Sequence, residues 1–438
     1  MKILFLSFPW TIDILGTGYL SAVLKKESYT VDITRPDTMW KDLANMKPDI
    51  LAISTTTGRH VKYLELVRQI KKRYPCIFVV FGGPHPTYFP EIAKEDCVDF
   101  IIRGEGEFSF LKLVKSIESG YLSCEKERTI EPLIQNLDTI PFPDRELIYK
   151  YPKNYNNPIK NVFTSRSCLF SCSFCYMSIF RELYKGQTVL RYRFIDSVIN
   201  ECIELKEKYP TKFIFFADDE FTVSGERLEE FRDKYKKYVE LPFHCQLRID
   251  YLTEEKVMLL KESGCFSVTF AVETGDEVTR WDMLNKKLTN RQIIKGCDIL
   301  KRYNIPFRIE NMIGLPRETI DGALKTLDFN IKLKPTVSWV SLYQPYPGTV
   351  LGELCKRSGL FKGDSSKFKE DFFEDTVLPL NKKGEFINLQ RLFSLAVDFP
   401  ILKYIIKLLI KLPPNRLYWW VSKIHKKFLY DHKLYKIK

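Results

Sequence analysis

Short apolar runs alternate with amphipathic segments along most of the chain, and this alternation limits the fold more than any other feature. In the first 120 residues the apolar runs lie at 2–8, 31–34, 50–54, 77–81 and 98–102. Between them, apolar residues recur every three or four positions. Buried parallel strands and amphipathic helices have these two patterns. The alternation therefore predicts an α/β fold that begins with a doubly wound, Rossmann-like parallel sheet.

The alternation restarts at Ile159, after a polar segment that contains several prolines. Strands are predicted at 159–164, 213–217, 243–247, 267–272, 307–313 and 338–343. Six strand–helix units predict a partial (β/α)6 barrel of the TIM type, with its chemistry at the carboxyl ends of the strands. We therefore expect a sheet domain at 1–130, a linker at 131–157, the barrel at 158–350 and a basic helical region at 351–438.

Three closely spaced cysteines follow the first barrel strand. Cys168, Cys172 and Cys175 form a C-x3-C-x2-C array. Soft thiolates on one loop suit an iron–sulfur cluster, and the missing fourth cysteine leaves one iron open to another ligand. Zinc or structural thiols are the alternatives. Zinc normally takes four ligands, and the nearest candidates, His244 and Cys245, lie about seventy residues downstream.

The array, with Phe174 directly before its last cysteine, resembles the signature of the radical SAM enzymes. It follows the motifs G-G-P-H-P-T at Gly82–Thr87 and R-G-E-G-E at Arg103–Glu107. Over about residues 1–350 this order resembles the cobalamin-dependent radical SAM family. The resemblance implies three cofactors: a 4Fe-4S cluster, S-adenosyl-L-methionine (SAM) and cobalamin. In that family SAM binds the open iron and is split reductively to a 5′-deoxyadenosyl radical.

The resemblance also implies which residues contact the cofactors. The three cysteines bind the cluster, and the elements V-E-T-G, R-I-D and M-I-G-L-P lie near SAM. The predicted SAM contacts are Phe174, Tyr176, Asp218, Arg248, Glu273 and Gly314. The predicted cobalamin contacts are Ser54, Thr55, Gly82, Gly83, Gly104 and Glu105. Structural ion pairs remain the alternative for Arg248 and Glu273, and a helix cap is the alternative for Asp218.

The ligand of cobalt is not evident in the first domain. The family often lacks the D-x-H-x-x-G motif whose histidine binds cobalt, and this chain lacks that motif too. His85 is one candidate ligand, and a loop histidine near the corrin edge or in solvent is the other interpretation. A second cluster of the methylthiotransferase type is not expected, because none of the cysteines considered there lies on a ligand-side loop: Cys76, Cys97 and Cys124.

Composition bears on the cellular setting and on partners. The net charge of +13 indicates a solvated basic surface or an anionic partner. Eleven cysteines, most of them scattered, favour a reducing compartment over a disulfide framework. No apolar run reaches the ~18 residues of a membrane span, and no signal peptide is recognised. We therefore expect a cytoplasmic protein.

The C-terminal region combines apolar residues with lysines. Lys403, Lys407 and Lys411 repeat every four residues and so share one helical face, next to a run of isoleucines and leucines. A helix packed on the barrel with extended lysines has this pattern, and so does a helix on a membrane surface. Peripheral membrane contact and a lipid-like substrate are therefore open hypotheses.

These observations predict a cobalamin-dependent radical SAM enzyme, specifically a C-methyltransferase acting on an unactivated carbon. The expected partners are a small-molecule or lipid-like substrate and an external one-electron reductant of the flavodoxin or ferredoxin type. Nucleic acid is not an expected partner. The alternatives are a radical cyclisation, rearrangement or oxidation, as in anaerobic porphyrin ring closure, and a non-catalytic cobalamin-binding sensor.

Overall fold

The computed structural model describes residues 1–121, 126, 130–222, 224–368, 374–429 and 433–435. Cys124 lies outside the described residues. The chain divides into two compact units. The first contains Met1–Asn161 and Glu182–Arg193, and the second contains Val162–Arg181 and Phe194–Lys438.

Thirteen strands are found in the described residues. They are β1 Lys2–Leu6, β2 Thr30–Thr34, β3 Ile50–Ser54, β4 Phe78–Gly82, β5 Phe100–Ile101, β6 Ile159–Val162, β7 Ser165–Arg166, β8 Arg191–Tyr192, β9 Phe213–Phe216, β10 Phe243–Gln246, β11 Cys265–Glu273, β12 Phe307–Ile313 and β13 Val337–Leu342. One sheet has the order β2-β1-β3-β4-β5, and its pairings are parallel. A six-stranded sheet has the order β13-β12-β11-β10-β9-β6.

Helices connect most of these strands. They are α1 Leu15–Lys26, α2 Met39–Met46, α3 His60–Arg73, α4 Pro84–Tyr88, α5 Glu107–Glu118, α6 Arg145–Ile148, α7 Pro152–Tyr155, α8 Met177–Leu183, α9 Ile195–Lys208, α10 Gly225–Tyr238, α11 Glu254–Glu262, α12 Asn290–Arg302, α13 Ile320–Leu333, α14 Val350–Arg357, α15 Lys383–Asp398, α16 Lys403–Leu409 and α17 Arg416–Leu429. A π-helical turn lies at Thr279–Met283.

The five-stranded sheet is covered by helices on both faces. Leu4 of β1 and Val67 of α3 belong to one buried cluster, whereas Phe5 packs with Phe110 of α5 in another. Because successive side chains of a strand point to opposite faces, the two clusters lie on opposite sides of the sheet. The predicted doubly wound sheet is confirmed. Its strand order changes direction between β1 and β3, and ligands of such sheets bind beyond the carboxyl ends there.

The second unit confirms the predicted α/β arrangement of a partial barrel. Its five strands from β9 to β13 pair in parallel and in chain order. Helices α10 to α13 lie between successive strands in the chain. The parallel direction brings the carboxyl ends of β9, β10, β11 and β12 to one edge, which is where the predicted SAM residues lie.

The segments outside the two sheets are also packed. Residues 131–157, predicted as a linker, contain α6 and α7, and Leu147 of α6 is buried in the first unit together with Phe5. In the second unit, helices α15 and α16 pack against β13 through residues such as Phe393, Ile406 and Val340. Within the described residues, no helix combines the length and the hydrophobicity that a membrane crossing requires.

Candidate functional site

A buried carboxylate holds the start of the cysteine loop. Asp218, just after β9, is fully buried and accepts hydrogen bonds from the backbone nitrogen of Thr164 at 3.0 Å and from the hydroxyl of Ser165 at 2.5 Å. Burial raises the pKa of Asp218 to about 6, and these hydrogen bonds oppose the rise. Asp218 was predicted as a SAM contact. In the structure its carboxylate fixes the chain that leads into Cys168.

Backbone hydrogen bonds hold the middle of the loop. The nitrogen of Ser173 donates to the carbonyl of Leu284 at 2.9 Å, and the carbonyl of Ser173 accepts from the nitrogen of Leu351 at 2.8 Å. The nitrogen of Cys175 donates to the carbonyl of Cys172 at 3.1 Å and closes a turn between the two cysteines. These backbone hydrogen bonds therefore fix the path of the cysteine loop.

The three thiols lie within electrostatic reach of one another. Burial raises the pKa of each thiol, that of Cys175 to about 12, and at Cys175 the nearby Cys172, Asp219 and Cys168 raise it further. In the described part of the chain, no three Cys, His, Asp or Glu side chains are close enough to hold a single metal ion. A 4Fe-4S cluster binds each cysteine through a different iron, so its ligands stand further apart. Three soft thiolates fit an iron–sulfur cluster, whereas zinc normally takes four ligands.

Two ion pairs flank Cys172. Nζ of Lys286 donates to Oε1 of Glu273 at 2.8 Å, and both side chains are buried. Arg248 donates two hydrogen bonds to the carboxylate of Asp250, at 2.9 and 2.8 Å. Burial raises the pKa of Cys172, whereas Lys286 and Arg248 lower it. Both pairs therefore lie within electrostatic reach of the Cys172 thiol.

This charge arrangement suits a zwitterionic ligand. The ammonium, carboxylate and ribose hydroxyls of SAM need paired charges and hydrogen-bond acceptors of this kind. Glu273 has a left-handed φ of +70°, and the register between β11 and β12 shifts beside it. Such a conformation is uncommon for a residue other than glycine and is often found at functional sites. Lys286 was missed by the sequence analysis, because it lies in a loop where no periodic pattern marks it.

The remaining predicted SAM residues lie on the same edge of the second unit. The Tyr176 ring is 5.0 Å from the Tyr346 ring, and Phe174 packs on a neighbouring buried cluster. Gly314 has a φ of +76°, and its nitrogen donates to Oε2 of Glu318 at 2.6 Å. Burial raises the pKa of Glu318 to about 7. Gly314 therefore shapes the turn after β12 through its backbone.

In the first unit, the loops after β3 and β4 meet at backbone distance. Gly83 has a φ of +88°, and a Cβ there would lie 2.7 Å from Oγ of Ser54 and 3.0 Å from the nitrogen of Thr55. The nitrogen of Thr55 donates to the carbonyl of Gly82 at 3.0 Å. Four predicted cobalamin residues thus come together at the ligand edge of the sheet. Their small side chains fit the close approach of a large flat ring such as a corrin.

Gly104 and Glu105 are engaged by another part of the first unit. The carboxylate of Glu105 accepts two hydrogen bonds from the guanidinium of Arg191, at 2.8 and 2.9 Å. A Cβ on Gly104 would lie 1.7 Å from the hydroxyl oxygen of Tyr184. The segment 182–193, whose position the sequence analysis did not predict, therefore covers this loop. Gly104 and Glu105 remain predicted cobalamin contacts. In the structure they contact the segment 182–193 and hold it in place.

His85 lies inside the first unit rather than in solvent. Its side chain is 2% exposed, its Nδ1 is 3.1 Å from the hydroxyl of Thr57, and its ring stacks on His60 at 3.7 Å and on Phe89 at 5.1 Å. Burial lowers its pKa to about 3, and His60 adds to this effect. His85 is thus neutral and packed against Thr57, His60 and Phe89.

Comparison with known proteins identifies both units. The B12 binding domain matches residues 1–114, and the radical SAM superfamily domain matches residues 162–329. The chain is 31% identical to the uncharacterized methyltransferase PH0819 of Pyrococcus horikoshii over 79% of each chain. It is also 28% identical to the anaerobic magnesium-protoporphyrin IX monomethyl ester cyclase of Rubrivivax gelatinosus, over 75% of this chain and 64% of that protein.

Solved structures share the fold. The methyltransferase TsrM of Kitasatospora setae has a TM-score of 0.67 at 16% identity and covers 81% of this chain and 76% of its own. OxsB has a TM-score of 0.64 at 17% identity, with 86% and 57% covered. Fold, cysteine loop and domain order define an enzyme that combines a cobalamin-binding sheet with a radical SAM barrel. The chain belongs to the cobalamin-dependent radical SAM family. A 4Fe-4S cluster, SAM and cobalamin are the cofactors that these two domains imply.

Proposed function

We propose that this protein methylates an unactivated carbon of a small-molecule substrate. The observation that carries the proposal is the 31% identity to a protein named as a methyltransferase, which extends over 79% of each chain and includes both units. The cysteine loop and the ion pairs around it support the proposal, because a protein that only senses cobalamin has no need of them.

The residues of this chain have separate roles in the proposal. When bound, the 4Fe-4S cluster and SAM would supply radical chemistry, and cobalamin would supply the methyl group. Cys168, Cys172 and Cys175 hold the cluster. Arg248 and Glu273 orient the charged and hydroxyl groups of SAM. The buried positions of these two residues keep water from their ion pairs, which strengthens both interactions.

The proposal includes partners that complete the reaction. An external one-electron reductant of the flavodoxin or ferredoxin type supplies the electron for SAM cleavage. The substrate is a small molecule or a lipid-like compound. The apolar, basic C-terminal region supports the lipid-like alternative and peripheral membrane contact, because it exposes isoleucine and leucine side chains beside lysines.

A radical cyclisation or oxidation is the second candidate. The 28% identity to the cyclase of Rubrivivax gelatinosus favours it, although this chain spans only 64% of that enzyme. Both candidates need the cluster and SAM, and they differ in whether a methyl group reaches the product.

Labelled SAM separates the two candidates. The anaerobically reconstituted protein is incubated with dithionite, SAM carrying a deuterated methyl group, and a metabolite extract. A variant with all three loop cysteines changed to alanine is the control. Methyl transfer is supported by a labelled methyl group in one metabolite, absent with the control. 5′-Deoxyadenosine without label in any metabolite contradicts methyl transfer and supports the second candidate. No 5′-deoxyadenosine at all contradicts both.

A further inference from the structure

Exposed apolar side chains are concentrated near the C-terminus. Among the described residues, 23 large hydrophobic side chains are exposed, and ten of these lie between Phe399 and Phe428. The rest are scattered over the other described parts of the chain. Single exposed hydrophobic residues are normal on a protein surface, but a contiguous group indicates an interaction site.

Helix α16 has apolar residues on two opposite faces. Its inner face, with Ile406 and Ile410, is buried against Phe386 and Leu389 of α15. Its outer stripe consists of Tyr404, Ile405 and Leu408, and the spacing continues to Ile401 before the helix and Leu412 after it. All five side chains are 46 to 79% exposed. The inner face is sufficient to attach the helix to the core, so the outer stripe has no role in that packing.

Helix α17 also has one buried apolar face and one exposed apolar stripe. Tyr418 packs on the α15 cluster, and Leu429 is buried beside Val337. The outer stripe of α17 consists of Leu417, Trp420, Ile424 and Phe428, which are 53 to 67% exposed. Two successive helices therefore each expose an apolar stripe on the side opposite their packed face.

The same segment is strongly basic. Between Phe399 and Leu429 the sequence has seven Lys or Arg residues and no Asp or Glu. Lys403 and Lys407 reach acidic residues of α13, at 2.8 and 3.4 Å, in pairs that are exposed and so contribute little to stability. Lys411, Arg416 and Lys427 are exposed on the surface. The segment thus combines apolar stripes with cationic edges.

We propose that residues 399–428 form a docking surface for an anionic lipid bilayer. The two helices lie in the plane of the membrane surface, with their outer stripes at the boundary of the acyl chains and their lysines among the headgroups. The exposed Trp420 and Tyr404 are of the kinds enriched at membrane interfaces. This surface is independent of the proposed methyl transfer, because it uses no residue of the cofactor sites.

Other occupants fit the surface less well. A nucleic acid or an acidic protein would pair with the lysines but leave the exposed isoleucine and leucine side chains of the stripes in water. A second copy of the chain would bring two surfaces of the same charge together, which is unfavourable. An anionic bilayer matches both the stripes and the charge.

Vesicle sedimentation tests the proposal with the full-length protein. The probes are vesicles of about three parts phosphatidylcholine to one part phosphatidylglycerol, and vesicles of phosphatidylcholine alone. We expect binding to the anionic vesicles that is about tenfold or more stronger than to the neutral ones and is weakened by salt. The triple variant Leu408→Ser, Ile424→Ser, Phe428→Ser should lose this binding, because it removes three large side chains from the outer stripes.

Two further variants make the result specific. The control Tyr121→Ser, Tyr238→Ser, Met258→Ser removes three exposed apolar residues elsewhere and should bind like the wild type. The variant Lys411→Gln, Arg416→Gln, Lys427→Gln should lose the preference for anionic vesicles. The proposal is overturned if the wild type does not sediment with anionic vesicles, or if the stripe variant and the control bind equally. A dimer in light scattering that the stripe variant abolishes, without vesicle binding, would assign the surface to a second copy.

Discussion

At the scale of single residues, a polar side chain at a strand end can face a ligand or can hold the loop that does. Asp218 follows β9 and remains a predicted SAM contact, and in the structure its oxygens accept hydrogen bonds from Thr164 and Ser165. Glu273 is the last residue of β11, and it pairs with Lys286 beside the Cys172 thiol. The partners of Asp218 lie more than fifty residues away, and Lys286 lies 13 residues from Glu273 in a loop without a periodic pattern, so the sequence does not identify these contacts.

Asp218→Ala should weaken the cysteine loop. The change leaves the buried donors of Thr164 and Ser165 without their acceptor, which costs about 2–4 kcal/mol. We expect a lower melting temperature and a reduced iron content after anaerobic reconstitution. Asp298→Ala, at an exposed position of α12, is the matched control and should leave both unchanged. Wild-type iron content in Asp218→Ala would contradict a positioning role.

His85 should make the protein less stable in mild acid. Its pKa is lowered from 6.5 to about 3 in the folded protein, so between these values only the unfolded chain binds the proton. Stability is therefore lost as the pH falls below 6.5, by about 1.4 kcal/mol per pH unit for one such group. Denaturant unfolding at pH 7 and pH 5 should show a smaller loss for His85→Gln than for the wild type. Equal losses would show that His85 is protonated in the folded state.

At the scale of elements, the sequence predicted what hydrophobic spacing determines. The bounds of β3 at Ile50–Ser54 and of β12 at Phe307–Ile313 agree with the predicted ones, because β3 is a continuous apolar run and buried positions alternate with partly exposed ones along the whole of β12. The spacing gave no indication of the position of 182–193, whose attachment depends on Arg191 and Tyr184. Those contacts join residues about eighty positions apart, so no local sequence pattern predicts them.

Gly83→Ala should disturb the loops after β3 and β4. The new Cβ would meet Ser54 and Thr55 at 2.7 and 3.0 Å, and the left-handed φ of +88° adds strain. We expect a loss of about 2 kcal/mol in stability and weaker retention of cobalamin. Absorbance of the corrin after gel filtration measures the retention. Gly225→Ala, whose Cβ meets nothing within 4 Å, should retain cobalamin like the wild type. Equal retention by the two variants would exclude this loop from the corrin site.

At the scale of the whole molecule, the cysteine loop and the predicted cobalamin loops belong to different compact units. Each loop is held by contacts inside its own unit, such as Asp218 with Thr164 and Thr55 with Gly82. We therefore expect the 4Fe-4S cluster and cobalamin to bind independently of each other.

Replacing the three loop cysteines with alanine tests this independence. We expect loss of the cluster absorbance and of 5′-deoxyadenosine formation, with cobalamin bound at the wild-type ratio. Iron analysis, product chromatography and corrin absorbance measure the three quantities. Loss of cobalamin together with the cluster would show that binding at one site depends on the other.

The return of residues 182–193 to the first unit has a consequence for any attempt to separate or exchange the halves of this enzyme. A gene fragment that stops before Ile159 encodes Glu105 but not Arg191, so the excised half keeps a carboxylate without its guanidinium counterpart. Grafting that half onto the barrel of a relative requires the donor's 182–193 as well. Recombinants between relatives should therefore take the stretch around Glu105 and the segment 182–193 from the same parent, although the cysteine loop is encoded between them.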